Sequence, residues 1–125
     1  MKMTAHFELN EFRCRCGVCA WPPSPEIVAR VQVLAERLEA LRADLGGAAV
    51  TVVSGVRCAA HNRAVGGAPR SRHLTGEAAD VRVAGSSMEA VAARARALGF
   101  GGVGVYGTHV HVDVREGRRA FWRVG

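Results

Sequence analysis

Residues 109 to 114 read His-Val-His-Val-Asp-Val. Strict alternation over six residues fits an extended strand, because successive side chains leave a strand on opposite faces. Such a strand has to rest its valines on a core. It then presents His109, His111 and Asp113 together on the other side, with neighbours about 7 Å apart. A second run, Ala78-Ala-Asp-Val-Arg-Val83, repeats the pattern: Asp80 and Arg82 share one face, while Ala79, Val81 and Val83 take the other. The chain therefore needs a sheet with one covered face and one face carrying imidazoles and carboxylates.

Capping signals and periodicity supply the remaining elements. Residues 1–23 read as an irregular, cysteine-rich segment ending in the breaker Pro22-Pro23. Ser24-Pro25-Glu26 gives an N-cap, a proline at the first helical position and an acid in the first turn. Ile27, Val31, Leu34, Leu38, Leu41 and Leu45 recur at three- and four-residue steps, predicting an amphipathic helix that stops at Gly46-Gly47. Residues 49–53 are apolar and β-branched and predict a short strand; a long polar loop through Asn62, Gly66-Gly67 and Pro69 follows. Ser86, with Glu89 three residues on, makes a capping-box pattern that opens a helix to about Leu98. Short strands are expected at 103–106 and 109–115, and an edge strand carrying Phe121 and Trp122 in 118–124. This order predicts an α+β fold: a small, mainly antiparallel sheet with helices packed on one face and the metal site on the sheet.

The 125 residues suit a single domain, 1–125, long enough to bury a core. A formal charge of +6 rests on scattered arginines and one lysine, which favours anionic partners in general. No aromatic stacking platform or helix-turn-helix pattern accompanies it, so no nucleic-acid partner is expected. No apolar run is long enough for a membrane span, and the first ten residues lack the apolar region of a signal peptide. The expectation is a chain made in the cytoplasm without a membrane partner, monomeric by default, that meets an outside target only on release.

His73 and Asp80 are seven residues apart, with Gly76 between them. That is too far for one helical face and too close for one straight strand, but a turn at Gly76 would fold His73 back beside Asp80. Imidazole and carboxylate donors suit zinc, and three protein ligands with a fourth position open is the arrangement of a hydrolytic site. Of His109, His111 and Asp113, only one is expected to join them as a ligand, with the others flanking it. Taken alone, the two histidines read more readily as the wet face of an edge strand. The coincidence with a His-x6-Asp loop is what favours a metal.

Ser71-x-His73-x2-Gly76-x-Ala78-x-Asp80 followed by His109-x-His111 resembles the peptidase M15 family of zinc D-Ala-D-Ala carboxypeptidases. His6-Phe7 with Glu11-Phe12, and Ser54-Gly-Val-Arg57 with His61-Asn62 and Val65-Gly66-Gly67, extend the resemblance over nearly the whole chain. It implies one zinc ion held by His73, Asp80 and His111. It also implies that Arg57 grips the substrate's terminal carboxylate or carbonyl, a task suited to a planar guanidinium, and that Ser71 supports the substrate site beside His73. Members of the wider group often carry Glu or Asp three residues before the last zinc histidine. Here that position is Thr108, which takes no proton at neutral pH. Asp113 is the base expected in its place, Glu77 is the other carboxylate candidate, and His109 stabilises the oxyanion or carries a proton. The implied reaction is hydrolysis of a peptide bond next to a D-amino acid in peptidoglycan stem peptides, in a bacterial or phage-lysis setting. The alternative is a non-catalytic wall-binding or tail-associated module of the same fold.

Cys14-x-Cys16-x2-Cys19 crowd the N-terminal segment, and Cys58 stands alone after Arg57. Four cysteines could form a second, structural zinc site if residue 58 folds back to the N-terminus. One or two disulfides made in an oxidising space, or free thiols, are the other readings. Either cross-link would pin the N-terminal segment beside the Arg57 loop.

Overall fold

The computed structural model describes residues 1–124. Its strands are β1 (Val50–Ser54), β2 (Ala78–Val83), β3 (Gly102–Val105), β4 (Val110–Asp113) and β5 (Ala120–Arg123). They form one sheet in the order β1-β2-β4-β3-β5, antiparallel at every junction but the last, where β5 runs parallel to β3. The parallel edge has a simple cause. β4 ends at Asp113, level with Gly102 at the start of β3. The chain crosses that end and sets out again at Ala120, whose N–H donates to the Gly101 carbonyl at 2.9 Å. The fold is α+β with a mostly antiparallel sheet, as the element order predicts.

Ala79, Val81, Val103, Val110 and Val112 lie in the core, which α1 (Pro25–Asp44) and α3 (Met88–Ala97) cover from one side. The Ser24 hydroxyl accepts the Ile27 N–H at 3.4 Å, Pro25 opens α1, and Val31, Leu34, Ala35, Leu38 and Leu41 form its buried stripe. The cap of α3 is Ser87 rather than Ser86: its hydroxyl accepts the Ala90 N–H at 3.1 Å. Ser86 is spent on the preceding turn, donating its N–H to the Val83 carbonyl.

Two stretches are more ordered than their sequence suggests. Within the expected polar loop lies a short helix, α2 (Ala59–Ala64), which stands apart from the α1–α3 layer and contacts the 3₁₀ turn Arg72–Thr75. Within residues 1–23, a 3₁₀ turn at Leu9–Phe12 is closed by the Glu11 carboxylate, which accepts the Glu8 N–H at 2.7 Å. Phe7, Leu9 and Phe12 from this segment are buried in the core. Each large apolar side chain buried in this way contributes roughly 1.5–3 kcal/mol. The Phe12 carbonyl accepts the Val56 N–H at 2.9 Å, and a side chain at Gly55 would strike the Phe12 backbone. This close approach ties the N-terminal segment to the chain just after β1.

Candidate metal centre

The polar face of the sheet gathers the candidate ligands. Asp80 on β2 sits directly opposite His111 on β4. His73 arrives from the 3₁₀ turn Arg72–Thr75, where the Ser71 hydroxyl accepts the His73 N–H at 3.2 Å. Gly76 closes that turn at φ +83°, a backbone that favours glycine, and a side chain there would press on Ile27. The result brings His73 Nε2 to 3.1 Å and His111 Nδ1 to 3.3 Å from Asp80 Oδ1. One donor atom from each of the three lies within 4.8 Å of the others, and all three residues are buried.

The outer hydrogen bonds fix which nitrogen each ring aims inward. His73 Nδ1 lies 2.7 Å from the Gly55 carbonyl, which only accepts, so Nδ1 carries the proton and Nε2 is left facing Asp80. His111 Nε2 lies 2.7 Å from Asp113 Oδ2, which leaves Nδ1 facing Asp80 in turn. Two ring lone pairs and a carboxylate oxygen aimed at one point require a cation or extra protons between them. The donor set therefore fits a zinc ion. Without a cation, protons meet the same need. Burial opposes charge on His111, but its bonds to Asp113 and Asp80 raise its pKa above the ordinary value. Burial also works against the Asp80 carboxylate, yet hydrogen bonds from His111 and His73 hold it well below the usual range.

Arg57 binds the second oxygen of Asp80, with Nη2 at 3.2 Å from Oδ2, and also donates to Ser54 Oγ and Asn62 Oδ1. His109, just before β4, places Nε2 at 3.6 Å from the same Oδ2. Its ring stacks on Tyr106 at 4.6 Å, and its Nδ1 lies 3.0 Å from the Thr108 hydroxyl. Burial depresses the His109 pKa, and the nearby Asp80 charge only partly offsets this.

The two carboxylates expected as base candidates lie elsewhere. Asp113 has no exposed side-chain surface. Its oxygens are taken by His111 Nε2, by the Arg115 backbone N–H at 3.1 Å, and by the Arg115 guanidinium at 2.9 and 2.7 Å. Burial alone would raise its pKa, but the His111 and Arg115 bonds hold it well below the usual carboxylate range. Glu77 accepts the Thr75 hydroxyl at 2.6 Å and pairs with Arg72. Neither lines the cleft, of about 680 Å³, that opens over the ligand cluster.

Arg57, Ser71 and His109 do line that cleft, and among the lining residues that the sequence did not single out as site residues are Arg70, Tyr106, Arg115 and Trp122. A signal for the last of these was present. Gly102 and Gly104 alternate on the same face as Asp113 and His111, opposite them in register. A side chain at Gly102 would collide with the Asp113 carboxylate, and one at Gly104 with the Trp122 ring. Two glycines on one strand face mark space filled by neighbours. Trp122 uses it to reach 5.1 Å from the His111 ring, and its Nε1–H donates to the Tyr106 hydroxyl at 3.0 Å.

The second cluster lies behind this site. Cys14, Cys16, Cys19 and Cys58 bring their sulfurs within 4.8 Å of one another, with no disulfide among them. The Cys16 thiol is drawn down to about 6 by the backbone N–H groups of Val18 and Cys19, which point at its sulfur. Cys19 is pushed up to about 12 because its own thiol is hydrogen-bonded to Cys16.

Fold and side-chain geometry together define a candidate metal centre on a one-sided sheet, and sequence comparison gives the chain a family. A profile of the family Peptidase M15 matches residues 5–114, and this chain belongs to that family. The zinc D-Ala-D-Ala carboxypeptidase of Streptomyces albus G is 38% identical over 89 residues. That alignment covers 69% of this chain and 35% of the relative, so the chain spans about a third of the relative's length.

Proposed function

We propose that this cleft hydrolyses a peptide bond next to a D-amino acid in peptidoglycan stem peptides, acting as a D,D-carboxypeptidase or endopeptidase. His73, Asp80 and His111 would hold the zinc ion. The observation that carries the reading is the convergence of His73 Nε2, Asp80 Oδ1 and His111 Nδ1 on one point at the foot of an arginine-rimmed cleft. Family membership and the name of the Streptomyces relative support it. A zinc ion bound there supplies Lewis acidity, activating water near neutral pH and polarising a carbonyl.

The chain's own residues do the rest. Arg57 uses three hydrogen bonds on Ser54, Asn62 and Asp80, and a guanidinium has five N–H groups, so two remain for a substrate carboxylate or carbonyl. Arg115 and Arg70 add positive charge to the same cleft. Ser71 acts through the backbone of His73, keeping the 3₁₀ turn closed. Asp113 acts as a positioning residue: it holds His111 Nε2–H and thereby turns Nδ1 toward the metal position. The proton carrier is His109. With Nδ1 protonated toward Thr108 Oγ1, Nε2 beside Asp80 would be the nitrogen that accepts a proton from the attacking water and passes it to the leaving amine. Its lowered pKa keeps it neutral, and so able to accept that proton, at pH 7. His109→Gln is expected to lower turnover by about 10²–10⁴-fold with zinc content unchanged. Metal analysis beside steady-state kinetics checks this, and an undiminished rate would remove His109 from the role.

One observation favours a non-catalytic wall-binding module: among the described residues, no carboxylate other than Asp80 lines the cleft. Mass spectrometry separates the two readings. A synthetic stem pentapeptide ending in D-Ala-D-Ala, and purified peptidoglycan, are incubated with zinc-loaded protein, chelator-treated protein and His111→Ala. Zinc-dependent release of D-Ala or of cross-link fragments is the expected result. Retention on peptidoglycan without any cleavage, at stoichiometric zinc, would establish the module instead.

A further inference from the structure

We propose that Cys14, Cys16, Cys19 and Cys58 hold a second, structural zinc ion, and that this ion fixes residues 55–58 behind the catalytic cleft. Four sulfurs around zinc, each about 2.3 Å from the metal, stand about 3.8 Å apart at the corners of a tetrahedron. Here all four lie within 4.8 Å of one another, with Cys58 and Cys16 at 4.0 Å. Disulfide bonding would need sulfurs at about 2.05 Å, paired two by two. The gathering is four-way instead.

Backbone amides are already aimed at the sulfurs. Val18 and Cys19 donate N–H groups to Cys16 Sγ at 3.5 and 3.3 Å, His61 donates to Cys58 Sγ at 3.4 Å, and Cys58 donates to Cys14 Sγ at 3.4 Å. Hydrogen bonds of this kind favour thiolate over thiol. Gly17, at φ +72°, makes the tight turn that lets two successive amides reach one sulfur. Four thiolates this close repel one another, and a dication relieves the repulsion as each thiol gives up its proton. Arg15 ties the base of the loop to the Val52 and Val53 carbonyls, but the tip beyond it stands in solvent. Gly17 is exposed, and Val18, next to it, is 90% exposed.

The place of the cluster gives it a role. Residues 55–58 touch both sites in turn: the Gly55 carbonyl accepts from His73 Nδ1, the Arg57 backbone N–H donates to the His73 carbonyl at 3.0 Å, and the Arg57 guanidinium holds Asp80. Cys58 then enters the cysteine cluster. An ion there would anchor the segment that sets both the ring orientation of His73 and the position of Arg57.

The test counts metal in the full chain and in a His73→Ala/His111→Ala double variant, which keeps all four cysteines. Native mass spectrometry of both, purified without oxidant, is expected to show two zinc ions in the first and one in the second. In the double variant the cysteines should resist iodoacetamide until a strong chelator is added, and then all four should react. Cobalt substitution of that variant should give intense sulfur-to-metal charge-transfer absorption and tetrahedral visible bands, and Cys19→Ser placed on it should lose the remaining equivalent. One zinc ion in both proteins would keep the cysteine site and count against the cleft ion alone. The proposal is overturned by a zinc-free double variant whose thiols alkylate at once, by bound iron in place of zinc, or by an unreduced mass short of two hydrogens per cysteine pair.

Discussion

Replacing Asp80 by asparagine is expected to empty the cleft of zinc and to lower peptide hydrolysis by about 10³-fold or more. Asparagine keeps the shape and one carbonyl oxygen but removes the charge on which four basic groups converge: His73 Nε2, His111 Nδ1, His109 Nε2 and the Arg57 guanidinium. Metal polarisation contributes several kcal/mol to such a reaction, and each 1.36 kcal/mol is a factor of ten in rate. Arg57 also loses its partner at Oδ2 and with it a fixed position in the cleft. Zinc titration against a chromophoric chelator, beside turnover on the stem pentapeptide, reads both effects. Circular dichroism checks that β2 is still in place. An asparagine variant that kept stoichiometric zinc at the parent affinity would sink the assignment of Asp80 as a ligand.

Replacing Asp113 by alanine is expected to destabilise the metal-free chain by about 3 kcal/mol, near the low end of the range for breaking a buried ion pair. The low end applies because Arg115, the cationic partner, keeps 23% of its side chain exposed and regains some hydration. Even so, a domain with a typical total of about 5–15 kcal/mol feels such a loss. His111 Nε2–H would lose its acceptor, so zinc affinity should also fall, by about 10–100-fold. Urea unfolding of both chains and zinc titration measure the two effects separately. The pH dependence carries a sign. The Asp113 pKa is depressed in the fold, so its contribution is present above the ordinary value of about 4 and is lost as pH falls below it. The stability gap between parent and variant should therefore narrow in acid. A gap that stayed constant, or was absent at pH 7, would mean that Asp113 does not tie His111 to Arg115.

The sheet and its polar face were legible in the sequence because a strand's period of two leaves no choice once valines alternate with His and Asp. The long helix was legible because proline, serine and a leucine stripe agree. α2 was not: Ala-Ala-His-Asn-Arg-Ala has no apolar periodicity, and its place is set by tertiary partners, with Asn62 bonded to Arg57 and the Ala68 carbonyl. The turn at Gly76 could be anticipated because a His and an Asp seven apart meet only if the chain reverses between them. Alternation put Asp113 on the polar face but could not say which way its carboxylate bends along the strand. In the structure it bends toward His111 and Arg115, its i−2 and i+2 neighbours, and away from the cleft. Arg115 and Trp122 act across strand junctions, and pairing order is what the sequence does not spell out.

β5 gives this architecture an uneven division of labour. The region shared with the peptidase M15 family ends at residue 114, yet Arg115 and Trp122 from the following segment wall the cleft. The three candidate ligand atoms come from β2, from β4 and from the turn before β2; both strands are inner ones, where a change in one disturbs its neighbours on both sides. Trp122 rides on β5, the outermost strand among the described residues. Replacement there would reshape the cleft wall, and the packing on the His111 ring, from a border strand, while β2 and β4 keep their places in the middle of the sheet.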